Sequence, residues 1–291
     1  MKISLIQMNS RHDKAANIAA AGELIERAVG EERPDWVALP ECFDFLGGKR
    51  ADKFAAAEIL PDGPAYGAMQ ALAKKHKIFV HAGSLLERVE GEERIYNTTV
   101  VFDRAGREVA RYRKIHMFDI TAPDGTQYRE SNAFKPGNAI ATYDCEGVKI
   151  GCAICYDLRF PYLFQALAEE GAEMIALPSN FTLQTGKDHW DVLCRARAIE
   201  TETYFCAPAQ TGNHVVGNET RQSYGHSLVV DPWGRILAEG GIEPAVLIAE
   251  IDPAEVAAAR SRIPSLLHGR RFELVEPMAE PTYLHAVRES L

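Results

Sequence analysis

No apolar run in this chain approaches the roughly 20 residues that a membrane-spanning helix requires, so nothing in it reads as a bilayer segment. An excess of basic residues is also missing. Lys and Arg number 32 against 41 Asp and Glu, a formal net charge of −9, and basic residues gather only in short local groups such as Arg111, Arg113 and Lys114 or Arg270 and Arg271. A nucleic-acid or anionic-membrane partner needs a basic footprint, and both are set aside. Cys152 and Cys155 form a C-x-x-C pair, but no second pair stands at zinc spacing. Residues three apart on a strand face opposite sides, which argues against a redox or metal site there. The N-terminus, Met1 to Met8, reads as a strand rather than a signal peptide. The six cysteines (Cys42, Cys145, Cys152, Cys155, Cys194, Cys206) are therefore expected as reduced thiols in a cytoplasmic protein.

What is present is the composition of an ordinary globule, with 46% hydrophobic and 25% charged residues over 291 positions. Strand-like and helix-like stretches alternate. Strands are expected at Ile3–Met8, Asp35–Pro40, Ile78–Ser84, Val148–Ile154, Met174–Pro178, Tyr204–Ala209, Ser227–Val230, Arg235–Ala238 and Ala245–Ile251. Tyr96–Phe102 and Glu108–Lys114 read as a hairpin closed by Asp103-Arg104-Ala105-Gly106. Helices are expected at Ala15–Val29, Tyr66–His76, Tyr162–Glu170, Asp188–Ile199 and Pro253–Arg262. Met117 to Asn138, rich in Gly, Pro, Asp and Asn, reads as a long loop, a kind of segment that often carries function. No repeat or linker divides the chain, so residues 1–291 are expected to form one α/β domain.

Three short segments carry the chemistry. The apolar stretch Val148 to Ile154 ends in Cys155, followed by Tyr156-Asp157-Leu158-Arg159-Phe160-Pro161. A thiol at a strand end is placed as a nucleophile, and it needs a base and an oxyanion donor. Val37-Ala38-Leu39-Pro40-Glu41 brings a carboxylate to one strand end, and Arg111-Tyr112-Arg113-Lys114-Ile115-His116 brings a lysine to another. A lone cysteine is more often a small buried hydrophobe, and Cys152, Cys194 and Cys42 are read that way. A Cys–His hydrolase is the chemical rival, with His116, His189, His214 and His226 available, although no motif ties any of them to Cys155.

Together these segments resemble, in order and spacing, the catalytic signatures of the nitrilase superfamily, the carbon–nitrogen hydrolases. The resemblance runs from about Met1 to about Ile251. It implies a four-layer α-β-β-α sandwich, an enzyme without metal or organic cofactor, and a homodimer or higher homo-oligomer in which the tail from about residue 252 packs on a partner subunit. It assigns Glu41 as general base, Lys114 as oxyanion-stabilising cation and Cys155 as nucleophile, and on physical grounds the backbone N–H of Tyr156 is a candidate second oxyanion donor. Glu130, in Tyr128-Arg129-Glu130-Ser131-Asn132, matches the family's additional carboxylate, which orients the lysine or substrate.

For the substrate, Asn180, Phe181 and Thr182 follow a strand that the family places beside the nucleophile. Arg159 either clamps a substrate carboxylate or pairs with Asp157. The segments Thr185 to Thr201, Ala209 to His214 and Ser223 to Gly234 are most similar to the deaminated-glutathione amidases of the Nit branch. The implied substrate is then a small acidic amide, cleaved to 2-oxoglutarate and cysteinylglycine. An omega-amidase acting on 2-oxoglutaramate, or an N-carbamoyl amide or nitrile hydrolase using the same residues, stands as the alternative.

Overall fold

The computed structural model describes residues 1–122 and 124–270. One sheet contains β1 (Lys2–Gln7), β2 (Trp36–Ala38), β3 (Phe79–His81), β4 (Leu85–Glu87), β5 (Tyr96–Phe102), β6 (Glu108–Arg113) and β17 (Ala245–Glu250), in the order β17-β1-β2-β3-β5-β4 with β6 also on β5. The second contains β9 (Thr142–Cys145), β10 (Val148–Cys152), β11 (Met174–Ala176), β12 (Tyr204–Ala207), β15 (Leu228–Val230) and β16 (Ile236–Glu239), ordered β16-β15-β12-β11-β10-β9. The hairpins β7 (Asp119–Thr121)–β8 (Gln127–Arg129) and β13 (Thr211–Val216)–β14 (Glu219–Tyr224) stand apart from both sheets.

Alternation along the strands separates the layers. Trp36 and Ala38 of β2 face the second sheet, whereas Val37 and Leu39 pack with α1 (Lys14–Glu32) and α3 (Pro64–His76). Strands apolar on both faces must be covered on both, and here one face meets a sheet and the other meets helices. On the far side, α4 (Pro161–Glu169) and α5 (Leu183–Thr201) cover the second sheet through Phe164, Leu167, Trp190 and Cys194. The result is the α-β-β-α sandwich. Among the described residues no helix is long and apolar enough to cross a membrane, and all six cysteines are unpaired.

Several elements depart from the sequence reading. Met117 to Asn138 is not loop throughout, since it folds as β7–β8 followed by a 3-10 turn at Glu130–Asn132. The helix expected from Asp188 begins at Leu183, where Thr182 Oγ1 accepts from the Thr185 N–H. The short α2 (Arg50–Ala56) and the β13–β14 hairpin were not expected as elements. The tail begins with α6 (Pro253–Arg262) and α7 (Ser265–His268), and Val256 and Ala259 of α6 are buried within the chain. Residues 271–291, part of the tail expected on a partner subunit, lie outside the described residues.

Between the sheets, Tyr143 Oη accepts from Trp36 Nε1 at 2.8 Å and lies 3.1 Å from His81 Nδ1. His81 Nε2 is buried without a partner among the described residues. Burial pushes His81 down to about 3 from an ordinary 6.5. Above pH 6.5 the folded and unfolded states hold the same neutral ring. Below it the unfolded chain gains a proton that the folded chain refuses until about pH 3, so stability falls as pH drops through this window. Urea titrations of His81→Gln should show a pH slope between pH 6 and 4 shallower by up to about 1.4 kcal/mol per pH unit. Equal slopes would contradict the burial of a neutral ring.

Candidate functional site

Glu41 follows β2, Lys114 follows β6, and Cys155 opens a 3-10 turn, Cys155–Arg159, beyond β10. All three side chains are buried. Strand β2 turns inward at Pro40-Glu41-Cys42, with Cys42 in the left-handed region (φ 52°) and its N–H donating to Ser84 Oγ at 2.9 Å. Cys155 is left-handed too (φ 46°), a conformation unfavourable for a residue with a Cβ. Its N–H donates to the Pro178 carbonyl at 2.9 Å, which fixes the turn to the end of β11.

Asp157 ties this turn to the lysine strand. Its carboxylate accepts the Ile154 N–H at 2.9 Å, Tyr112 Oη–H at 2.7 Å and the His116 N–H at 3.1 Å, with His116 Nδ1 at 2.7 Å. Tyr112 and His116 flank Lys114 by two residues on either side, and Ile154 precedes Cys155. One fully buried carboxylate thus sets the spacing between nucleophile and cation. His116 also stacks on Phe160 at 3.6 Å, so its role is in holding this turn.

The Lys114 ammonium lies between two carboxylates, 2.8 Å from Glu41 Oε1 and 2.9 Å from both oxygens of Glu130. Asn97 Nδ2 donates to the same Glu41 oxygen at 2.8 Å, and the Phe118 N–H donates to Glu130 Oε2 at 2.6 Å. Burial works against the lysine charge, but Glu130 and Glu41 outweigh it and hold the ammonium well above its usual range. Burial lifts the Glu41 carboxyl, with Lys114 opposing and Glu130 reinforcing the rise. Burial, then the charge of Glu41, pushes the Cys155 thiol well above its ordinary value. The resting sulfur is therefore a thiol, and an attacking thiolate requires a base at the moment of reaction.

These groups open into a cavity of about 170 Å³ lined by Glu41, Lys114, Glu130, Cys155, Tyr156, Asn180, Phe181 and Thr182, among others. Asn180 Oδ1 accepts from Ser223 Oγ at 2.6 Å, and Phe181 packs on Trp190 with ring centroids 4.8 Å apart. Arg159 is not in the cavity wall. The 3-10 turn carries it to His189 Nδ1 at 3.3 Å and over the Phe181 ring, and the Asp157 carboxylate is already filled by other donors. The sequence reading missed Lys53, Arg129 and Arg221, which line the cavity together with the buried His214, weighed there only as a partner for Cys155. They lie on α2 and the β7–β8 and β13–β14 hairpins, which show little apolar periodicity. Among the described residues, no cluster of His, Cys, Asp and Glu is arranged to hold a metal ion.

Comparison with known proteins shows the family. Residues 2–261 match the model of the carbon-nitrogen hydrolase family. A deaminated glutathione amidase of Synechocystis is 40% identical over 266 residues, covering 90% of this chain and 96% of that protein. The omega-amidase NIT3 of Saccharomyces cerevisiae is 36% identical over 281 residues, covering 94% of each. The crystal structure of the C. elegans NitFhit protein superposes with a TM-score of 0.85 at 38% identity, covering 92% of this chain and 65% of that longer chain.

Proposed function

The chain belongs to the carbon–nitrogen hydrolase family, the nitrilase superfamily, and on that premise we propose that it is a thiol amidase whose substrate is a small acidic amide, deaminated glutathione first among them. The observation that carries this reading is the buried Lys114 ammonium held between Glu41 and Glu130 beside the strained Cys155 turn.

Glu41 takes the thiol proton as Cys155 Sγ bonds to the amide carbonyl carbon. The carbonyl oxygen becomes an oxyanion. The three donors of the Lys114 ammonium meet Glu41 Oε1 and both oxygens of Glu130 at rest, and exchanging one of the two Glu130 contacts for the substrate lets Lys114 serve that oxygen. The Tyr156 N–H supplies a second, since the Cys155 N–H is already given to Pro178. Collapse breaks the C–N bond, and Glu41 returns its proton to the leaving amine. Water, deprotonated by Glu41, then cleaves the thioester to give the carboxylic acid and restore the thiol. Glu130 holds Lys114 charged and in place throughout. A thiol that is neutral at rest supports this order of events, because no thiolate waits preformed.

Support for the substrate comes from the 40% identity to a deaminated glutathione amidase. The test is product release from deaminated glutathione, 2-oxoglutaramate, an N-carbamoyl amino acid and a simple nitrile. The reading expects the highest kcat/KM on deaminated glutathione, with 2-oxoglutarate released. Ammonia from 2-oxoglutaramate at a higher kcat/KM would make the protein an omega-amidase, and activity confined to the last two compounds would overturn the acidic-amide assignment.

We also propose a cytoplasmic homo-oligomer. Six free cysteines fit a reducing compartment. Tyr162 of α4 and Val192 and Ile199 of α5 expose apolar surface on one outer helical layer, which fits a second copy.

A further inference from the structure

The cavity is positive in a protein that is negative. Four cationic side chains line it, Lys53, Lys114, Arg129 and Arg221, against two carboxylates, Glu41 and Glu130, while the whole chain carries a formal −9. Both carboxylates are engaged by Lys114. Arg129 is partly committed, with Nη1 donating to the Ile120 and Tyr128 carbonyls at 2.9 and 2.7 Å.

Lys53 and Arg221 are different. Among the described residues the Lys53 ammonium has no ion-pair or hydrogen-bond partner, and it rests 5.4 Å from the centre of the Phe134 ring. Arg221 lies over the Tyr128 ring at 4.5 Å. One of its nitrogens reaches Glu219 at 3.1 Å, a carboxylate that is 64% exposed, while its Nε is buried without a partner. A buried donor left unpaired is destabilising, and a substrate oxygen could satisfy it.

Two elements absent from the sequence reading bring these cations together. The loop before α2 is clasped to the β13–β14 hairpin by the Gly48 N–H donating to the Val215 carbonyl at 3.0 Å. At Gly47 (φ 97°) a Cβ would stand 2.4 Å from that same oxygen, so the close approach requires glycine. Lys53 lies on α2 and Arg221 on β14. Both charges bear on His214 of β13, which burial first and then Arg221 and Lys53 push down to about 4. His214 is thus neutral at pH 7 and leaves the positive charge to the other two.

We infer that this clasp is a carboxylate-binding subsite in which Arg221 and Lys53 receive the acid group at the end of the substrate remote from the scissile amide. The inference rests on the amidase reading for which end of the substrate reacts. Phe134 and Tyr128, which carry the two cations on their faces, also line the cavity and suit the methylene stretch between the two ends.

The test uses full-length protein bearing Cys155→Ala, titrated calorimetrically with glutaramate and with glutaramide, two probes of equal length that differ in one carboxylate. Glutaramate should bind more tightly. Lys53→Gln and Arg221→Gln should each weaken glutaramate about tenfold or more and leave glutaramide unchanged, while Lys53→Arg retains the preference. Equal loss for both probes would mean that the residues only support the wall. Binding of glutaramate no tighter than glutaramide, or unchanged by either substitution, would also overturn the subsite. Because this protein cannot turn over, a failure of the intact enzyme to hydrolyse amides would count against the amidase reading alone.

Discussion

Cys155→Ala should lower turnover by about 10⁴-fold or more while leaving the fold intact. The substitution removes one sulfur atom and keeps the Cβ, so the left-handed turn and its backbone bond to Pro178 persist. Truncating a small buried side chain costs about 1 kcal/mol, well within what a domain tolerates. The kinetic loss is large because nothing else in the cavity can form the covalent bond. Cys42 also lines the cavity and its thiol is likewise pushed up, by burial and then by the charges of Glu41 and Asp44, but Glu41 hydrogen-bonds to the Cys155 thiol and not to that of Cys42. Cys152 lies wholly inside the inter-sheet core. Cys152→Ala should therefore keep its activity, and comparison of kcat for the two variants checks the assignment.

Lys114→Met should lose both activity and stability. Met matches the length and apolar stem of lysine but leaves Glu41 and Glu130 facing each other without the cation. Removing one partner of a buried ion pair costs about 3–5 kcal/mol, because the remaining charge is neither solvated nor compensated. Here two like charges remain, which adds repulsion. The stability deficit should shrink as pH falls, since Glu41, already lifted by burial, takes up a proton and removes one of the two charges. The activity should not return at low pH, because the oxyanion has lost its cation and a protonated Glu41 cannot accept from the thiol. Urea denaturation and kcat, each measured at pH 8 and pH 5.5, separate the two effects. A variant of unchanged stability would mean that the carboxylates are solvated rather than held by Lys114.

The sheets were legible because their strands are apolar on both faces or alternate cleanly, as in Trp36-Val37-Ala38 and Val148 to Cys152. Glu41 and Cys155 could be singled out because each stands just past such a strand, where a polar residue interrupts an apolar run, whereas Lys114 follows the largely polar Glu-Val-Ala-Arg-Tyr-Arg of β6 and stood out through its resemblance to the family's motif. Glu130 was harder to see. It lies in a polar segment, and its approach to Lys114 depends on the β7–β8 hairpin, whose three-residue strands are too short to show a period. The cationic side of the cavity was not legible. Helix α2 buries no residue, so it has no apolar face to detect, and β14 reads Glu-Thr-Arg-Gln-Ser-Tyr, polar almost throughout. Both are placed by the Gly48–Val215 clasp, a contact between residues far apart in sequence. Arg159 shows the opposite failure. Its nearness to Cys155 in sequence suggested a substrate contact, but a 3-10 turn rotates successive side chains by about 120°, and Arg159 emerges beside His189.

The central claim is a covalent thioester on Cys155, and the most direct measurement is the mass of protein quenched in acid during turnover, followed by peptide mapping. The account predicts an added mass equal to the acyl part of the substrate on the peptide bearing Cys155, absent from Cys155→Ala and discharged by water in the active protein. The same acyl group on Cys42 or on any other residue would contradict it.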